Sequence, residues 1–332
     1  MRKMMTFMVA LAFLGVLALP AMAGVTVDGN AKAELLLMDK TEVDPGDDPE
    51  DGNMEFQNVQ ANVNVNGDVA EGVKALVELR TSGSIISVRQ TLVELTNLIP
   101  NGSLRIGQLR VPFAGGLQSA NNMGNPLIDG AIGYSNFLGL DAGADCTMNF
   151  SDMFSATLGI FNGDSPDNGK FALVARGVAK PMEALTVTGE YYTSDNTPDA
   201  TGATDNKISA YEIIGQYQAE IASMLTVKGI FGKATEEYGD AKDETSYMGV
   251  QGSYDINDMI WIAGRYVKAE YDEDNEDNDE ETTEMAIGGG YNLAENTKVK
   301  VQYRSVKTSN LNGVKDEEET VSGITTEIVT AF

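Results

Sequence analysis

From Gly24 to the C-terminus the chain keeps a period of two: about ten residues alternate apolar and polar, a short turn follows, a second such stretch returns, and a longer polar connection comes next. A strand sorts residues with this period onto opposite faces. The last segment shows it, with Ile324, Thr326, Ile328, Thr330 and Phe332 on one side and Thr325, Glu327, Val329 and Ala331 on the other. Near the start, Val59, Ala61, Val63 and Val65 oppose Asn58, Gln60, Asn62 and Asn64. A dry core would leave those amides costly and unpaired, so the polar face calls for water. About sixteen strands can be counted, the first pair covering 25–37 and 55–65.

The connections alternate as regularly as the faces. Tight turns are predicted at 67–72, 97–102, 151–153, 180–183, 220–223, 255–258 and 294–296. The other connections are predicted as outer loops, at 39–52, 81–84, 112–136, 162–169, 194–206, 235–244, 272–283 and 308–319. One rim of short turns and one of long loops is the pattern of a transmembrane antiparallel β-barrel, whose strands put alternate residues into lipid and into an aqueous lumen. The expectation is an all-β barrel of about sixteen strands, with short periplasmic turns, longer acidic extracellular loops and both termini on the periplasmic side. A terminal phenylalanine on the lipid face suits the membrane interface.

Arg2 and Lys3 precede an apolar run from Phe7 to Leu19, followed by Pro20 and the small-residue site Ala21-Met22-Ala23. These features predict a secretory signal peptide, residues 1–23, and one barrel domain, residues 24–332. Its loss leaves 21 bases against 50 acids, a formal charge of −29, which excludes nucleic acid as an expected partner. Four loops hold 24 of the acids, in 39–51, 236–244, 272–281 and 316–319, so the outer mouth should be strongly negative.

Histidine is absent, which removes imidazole bases, Ser-His triads and His-ligated metals. The single cysteine, Cys146, shares a strand face with Ala142, Ala144 and Met148 and is expected to be a small apolar filler. The acidic run 272–281 invites a calcium reading but lacks the glycine of an EF-hand loop, and a solvated, self-repelling loop is expected. Gly288-Gly289-Gly290 lies in a strand with no following helix, so close packing or a bend is expected rather than a phosphate cradle. No cofactor and no enzymatic chemistry are expected.

Segment 112–136 departs from the pattern by its length, its five glycines and its single charged residue, Asp129. Irregular backbone at membrane depth is tolerated where it lines a water-filled cavity, and the segment is expected to fold inward and narrow the lumen. The basic residues expected to line the pore are Arg80, Arg110, Arg176, Lys228, Arg265, Lys300 and Arg304, and the acidic ones are Glu78, Glu94, Asp129 and Glu190. Arg105 and Arg110 have opposite parity, so one of them should face outward or lie beyond the bilayer.

Two stretches carry a family likeness: Arg105-Ile106-Gly107-Gln108-Leu109-Arg110-Val111-Pro112-Phe113, and Gly159-Ile160-Phe161-Asn162-Gly163-Asp164 followed by Val174-Ala175-Arg176. They resemble strand-to-loop segments of Gram-negative porins, especially the phosphate-selective porin O and P family. The resemblance implies a homotrimer in the outer membrane of a Gram-negative bacterium, with an eyelet built partly by the loop after the fifth strand, where 112–136 falls. The phosphate channels of that family use rows of arginine and lysine. Here the bases are spread over many strands and mixed with Glu78, Glu94 and Glu190. The expected function is therefore passive diffusion of small hydrophilic solutes and ions. An anion- or phosphate-selective channel and a structural or adhesive barrel without an open pore are the alternatives.

Overall fold

The computed structural model describes residues 24–43, 50–51, 54–82, 85–113, 117, 124–128, 130–132, 139–163, 170–195, 206–219, 224–272, 279–310 and 317–332. The expected signal peptide, Asp129 and most of the acidic run 272–281 lie outside the described residues. The first half contains β1 (Val25–Val43), β2 (Glu50–Asp51), β3 (Glu55–Ala70), β4 (Val73–Ser82), β5 (Ile85–Leu95), β6 (Gly102–Arg110), β7 (Leu140–Ser151) and β8 (Phe154–Phe161). The second contains β9 (Ala172–Met182), β10 (Leu185–Asp195), β11 (Asn206–Gln218), β12 (Leu225–Tyr238), β13 (Ala241–Asp255), β14 (Ile260–Asp272), β15 (Glu280–Ala294), β16 (Thr297–Ser309) and β17 (Glu318–Ala331).

Sixteen long strands pair antiparallel with their sequence neighbours, and β1 pairs both β3 and β17, so the sheet closes on itself. The two-residue β2 is a small addition against the outer end of β1. Closure leaves no strand edge to solvate, which a chain in lipid requires. The first described residue and the C-terminus sit at the tight-turn rim: Gly24 accepts a bond from the Asp68 N–H, and Gly29 and Phe332 exchange two backbone bonds of 3.0 Å. The predicted tight turns at 97–102, 151–153, 180–183, 255–258 and 294–296 fall at the junctions of the strands they were expected to join, the one at 67–72 shortens to 71–72 because β3 runs to Ala70, and 220–223 lies outside the described residues.

Two predicted loops are corrected. Segment 235–244 is not a loop: β12 and β13 run through it and meet at the two-residue turn Gly239-Asp240, with Gly239 at φ 64°. Segment 39–52 likewise holds the end of β1, to Val43, and β2. In the projecting β12–β13 hairpin, Glu244 bridges Lys233 and Lys242, each 2.7 Å away. Their bonds lower its pKa to about 2, so it stays ionised at any pH a cell meets.

The outer face carries exposed apolar side chains in strand after strand, among them Val93, Ile160, Ile213, Met248, Ile262, Ile287, Val301 and Ile328. Exposure of that kind is expected of a surface solvated by lipid. Tyr217, Tyr254, Tyr291 and Phe332 stand outward toward the tight-turn rim, and the paired Tyr191 and Tyr211 stand outward nearer the loop rim. Tyr247 breaks the spacing because it faces the lumen, where its hydroxyl donates to Glu212 at 2.8 Å. Cys146 lies opposite the exposed Leu158, on the apolar outer parity. Inside the first strands, Asn62 donates to Asn30 at 3.1 Å, and Asn64 and Asn66 donate to Asp28 at 2.7 and 2.8 Å. The amide face therefore has partners as well as water.

Candidate functional site: the constricted lumen

The chain leaves β6 at Arg110 and re-enters the neighbouring β7 at Leu140, yet the described residues among 124–132 sit on the opposite wall. Val111 and Phe113 are buried first, Phe113 packing on Tyr192 with ring centroids 5.9 Å apart. Leu117 then packs with Val267, and Leu127 with Ala263 and Ala286. The described residues of segment 112–136 thus lie inside the barrel, on both sides of its interior. The segment is pinned on the far side by groups of β14, β15 and β16. Trp261 Nε1 donates to the Pro126 carbonyl at 3.0 Å, and the Ile128 N–H donates to Gln302 at 2.8 Å. The Ile132 N–H donates to Glu284 at 2.8 Å, and Arg265 donates to the Gly130 carbonyl at 3.0 Å.

The glycine triplet has the packing role expected of it. Any Cβ at Gly290 would overlap the Trp261 indole, and one at Gly288 would press on Leu127 and on the β16 backbone. Gly290→Val is expected to displace the indole at a cost of about 1–3 kcal/mol in stability. A red shift of tryptophan emission, with a lower unfolding temperature in detergent, checks it.

Several expected pore-lining groups turn out to be paired. Arg265 faces inward but is fully covered, donating through Nε to Glu284 at 2.7 Å, and Arg304 reaches the same carboxylate at 3.1 Å. Lys300 is also covered, 2.8 Å from Glu327. That pair continues through Lys32 to Glu34, stitching the inner side of the β1–β17 seam. Arg176 lies 3.1 Å from the buried Glu190. Glu94 faces Arg105, which forks onto the buried Asp145, 2.8 Å from Nε to Oδ1. Glu284, Glu327, Glu34 and Asp145, each paired with a base, and Glu212, which accepts from Tyr247, were not anticipated.

A different set has no such partner among the described residues. Arg80 on β4 has Arg89, Arg110 and Glu78 as its charged neighbours. Among the described residues no ion pair or side-chain hydrogen bond engages Arg80, Arg89 or Arg110, while Glu78 accepts from Gln90. Arg89 was not on the expected list because it shares the parity of the outward Val93. The β4–β5 ladder slips between Glu78 and Leu79, leaving Arg89 as the extra residue of a bulge that turns it inward. An arginine on a lipid-facing parity is costly, and that cost was the available signal. Of Arg105 and Arg110, Arg105 faces inward onto Asp145; the ladder from β6 to β5 ends at Gln108 while that to β7 continues to Arg110, whose N–H donates to Gln90 at 3.3 Å.

Below the crossing segment, toward the tight turns, lies a bay of about 510 Å³ bordered by Asn125, Pro126, Lys228, Gln251, Trp261 and Lys298. A closed barrel, lipid-facing outside and narrowed by an inward segment over a polar lumen, matches the Gram-negative porin model over residues 10–311. The chain belongs to the Gram-negative porin family. This porin is similar in fold to the anion-selective porin of Comamonas acidovorans, at TM-score 0.68 and 15% identity over 93% of this chain and 100% of that one. It is similar also to the outer membrane channel DcaP of Acinetobacter baumannii, at TM-score 0.67 and 13% identity over 93% and 97%. A third likeness is to the trimer form of OmpT from Vibrio cholerae, at TM-score 0.65 and 15% identity over 93% and 99%. No curated protein matches the chain in sequence. The porin is an outer-membrane channel for passive diffusion, and its strands, not helices, cross the bilayer.

Proposed function

We propose that the eyelet of this porin is bounded on one side by the Arg80–Arg89–Arg110 wall and on the other by the nearly uncharged crossing segment, and that it favours small hydrophilic anions. The carrying observation is the unpaired arginine triad, set against the ion pairs that engage Arg105, Arg176, Arg265, Lys300 and Arg304. Free guanidinium groups in a narrow, low-dielectric passage set its field more strongly than acids spread around a wide, solvated mouth. Asp129, with the partly covered Arg176 and Arg304, completes the set of groups proposed to shape that field. The likeness of the Arg105–Phe113 stretch to phosphate-selective porins agrees with this preference, and the similar Comamonas porin is itself described as anion-selective. A mature chain from Gly24, assembled as a homotrimer, is part of the same proposal; OmpT of Vibrio cholerae has a trimer form.

The test is a planar bilayer containing the mature protein under a potassium chloride gradient. Stable open steps with a reversal potential on the chloride side support the reading. A potential on the potassium side gives control to the acidic mouth and overturns the anion preference. Verified folded protein without any conductance would favour a plugged, structural barrel.

A further inference from the structure

We propose that the bay beneath the crossing segment is a binding subsite for hydroxylated carboxylates, the chemistry of a sugar acid. It rests on the aqueous-pore reading and adds a place where a solute pauses before the periplasmic exit. The register puts Gln216, Lys228 and Gln251 side by side on β11, β12 and β13, all facing inward. Among the described residues the Lys228 ammonium has no ion pair or hydrogen bond, although it is half-buried beside the bay. Burial of an unpaired ammonium is unfavourable, and an incoming carboxylate would relieve it.

Across the bay, Lys298 holds its ammonium 5.3 Å from the centre of the Trp261 ring, and Asn292 lies opposite Lys298 in the β15–β16 ladder. Amides that both donate and accept suit a chain of hydroxyls, each of which does the same. The indole of Trp261 gives the bay an apolar border. Asp255 and Asp258 border the bay at its lower rim and oppose multiply charged anions. The combination selects a singly charged solute with hydroxyl groups. No residue of the arginine triad borders this bay, so the two sites act in series.

The chain contains one tryptophan, so emission from Trp261 reports on the bay directly. Mature porin in detergent, with folding verified by heat-dependent gel mobility, is titrated with sodium gluconate at constant ionic strength, with glucose and acetate as comparisons. The expected result is a saturable emission change for gluconate in the millimolar range, with much weaker responses to glucose and acetate. Lys228→Gln should weaken gluconate by about tenfold. Lys298→Gln should weaken it as well, so that a folding failure of one variant leaves the other decisive. No saturable change, equal responses to glucose or acetate, or full affinity in both folded variants would overturn the proposal. Single-channel conductance on the same preparation separates the failures: open steps without a titration sink the subsite alone, and absent steps sink the pore.

Discussion

Glu284→Gln should destabilise the barrel by about 3–5 kcal/mol and at the same time loosen the eyelet. Its carboxylate has no exposed surface and receives Arg265, Arg304 and the Ile132 N–H, so it joins the wall to the crossing segment in one group. The neutral amide leaves the covered Arg265 guanidinium without its counter-charge. The midpoint of heat-dependent gel mobility should fall, and single channels should flicker with a larger mean conductance. A double variant, Arg265→Met with Glu284→Leu, removes both buried charges and should recover most of the midpoint, since an apolar pair of similar volume replaces an ion pair at little cost. It should not recover the quiet trace, because the bonds to Gly130 and Ile132 are gone. A variant that keeps both midpoint and trace would show that the segment is held elsewhere.

Arg80→Gln combined with Arg89→Gln should lower the anion-to-cation permeability ratio by about tenfold. Each unpaired guanidinium several ångströms from the path contributes roughly 1 kcal/mol at the intermediate dielectric of a water-filled constriction, and salt screening takes back part of the sum. Neither side chain holds a partner among the described residues, so fold and conductance should survive. Reversal potentials measured across a salt gradient give the ratio directly. An unchanged ratio would remove the triad from the eyelet. The parallel change Lys300→Gln should act instead on stability, because that ammonium is sealed against Glu327.

The barrel was legible because lipid and water enforce alternation on every residue between the two rims, and the tight turns show where it resets. The signal failed at 235–244 for the same reason. Above the bilayer both faces of a hairpin meet water, so Thr235, Glu236, Glu237 and Tyr238 can pair in register with Ala241–Glu244 while presenting no apolar stripe. Segment 112–136 betrayed its inward path through its low charge and its glycines. Its anchors were hidden, since nothing in sequence links Ile132 to Glu284 or Pro126 to Trp261. Parity could not separate Arg265 and Lys300, which carboxylates cover, from Arg80, which none does among the described residues. A single slipped residue concealed Arg89.

The crossing segment has one charged residue in its sequence, Asp129, while the arginine triad belongs to β4, β5 and β6, across from the wall to which the segment is pinned. In the proposed eyelet, aperture and polarity are thereby assigned to separate parts of the molecule. A descendant could lengthen, shorten or reshape that segment and change the size of what passes without rewriting which sign of charge is welcome. Exchange of two or three wall residues could likewise retune the sign at constant bore. Such independence lets one scaffold track a changing supply of nutrients by small, separable steps.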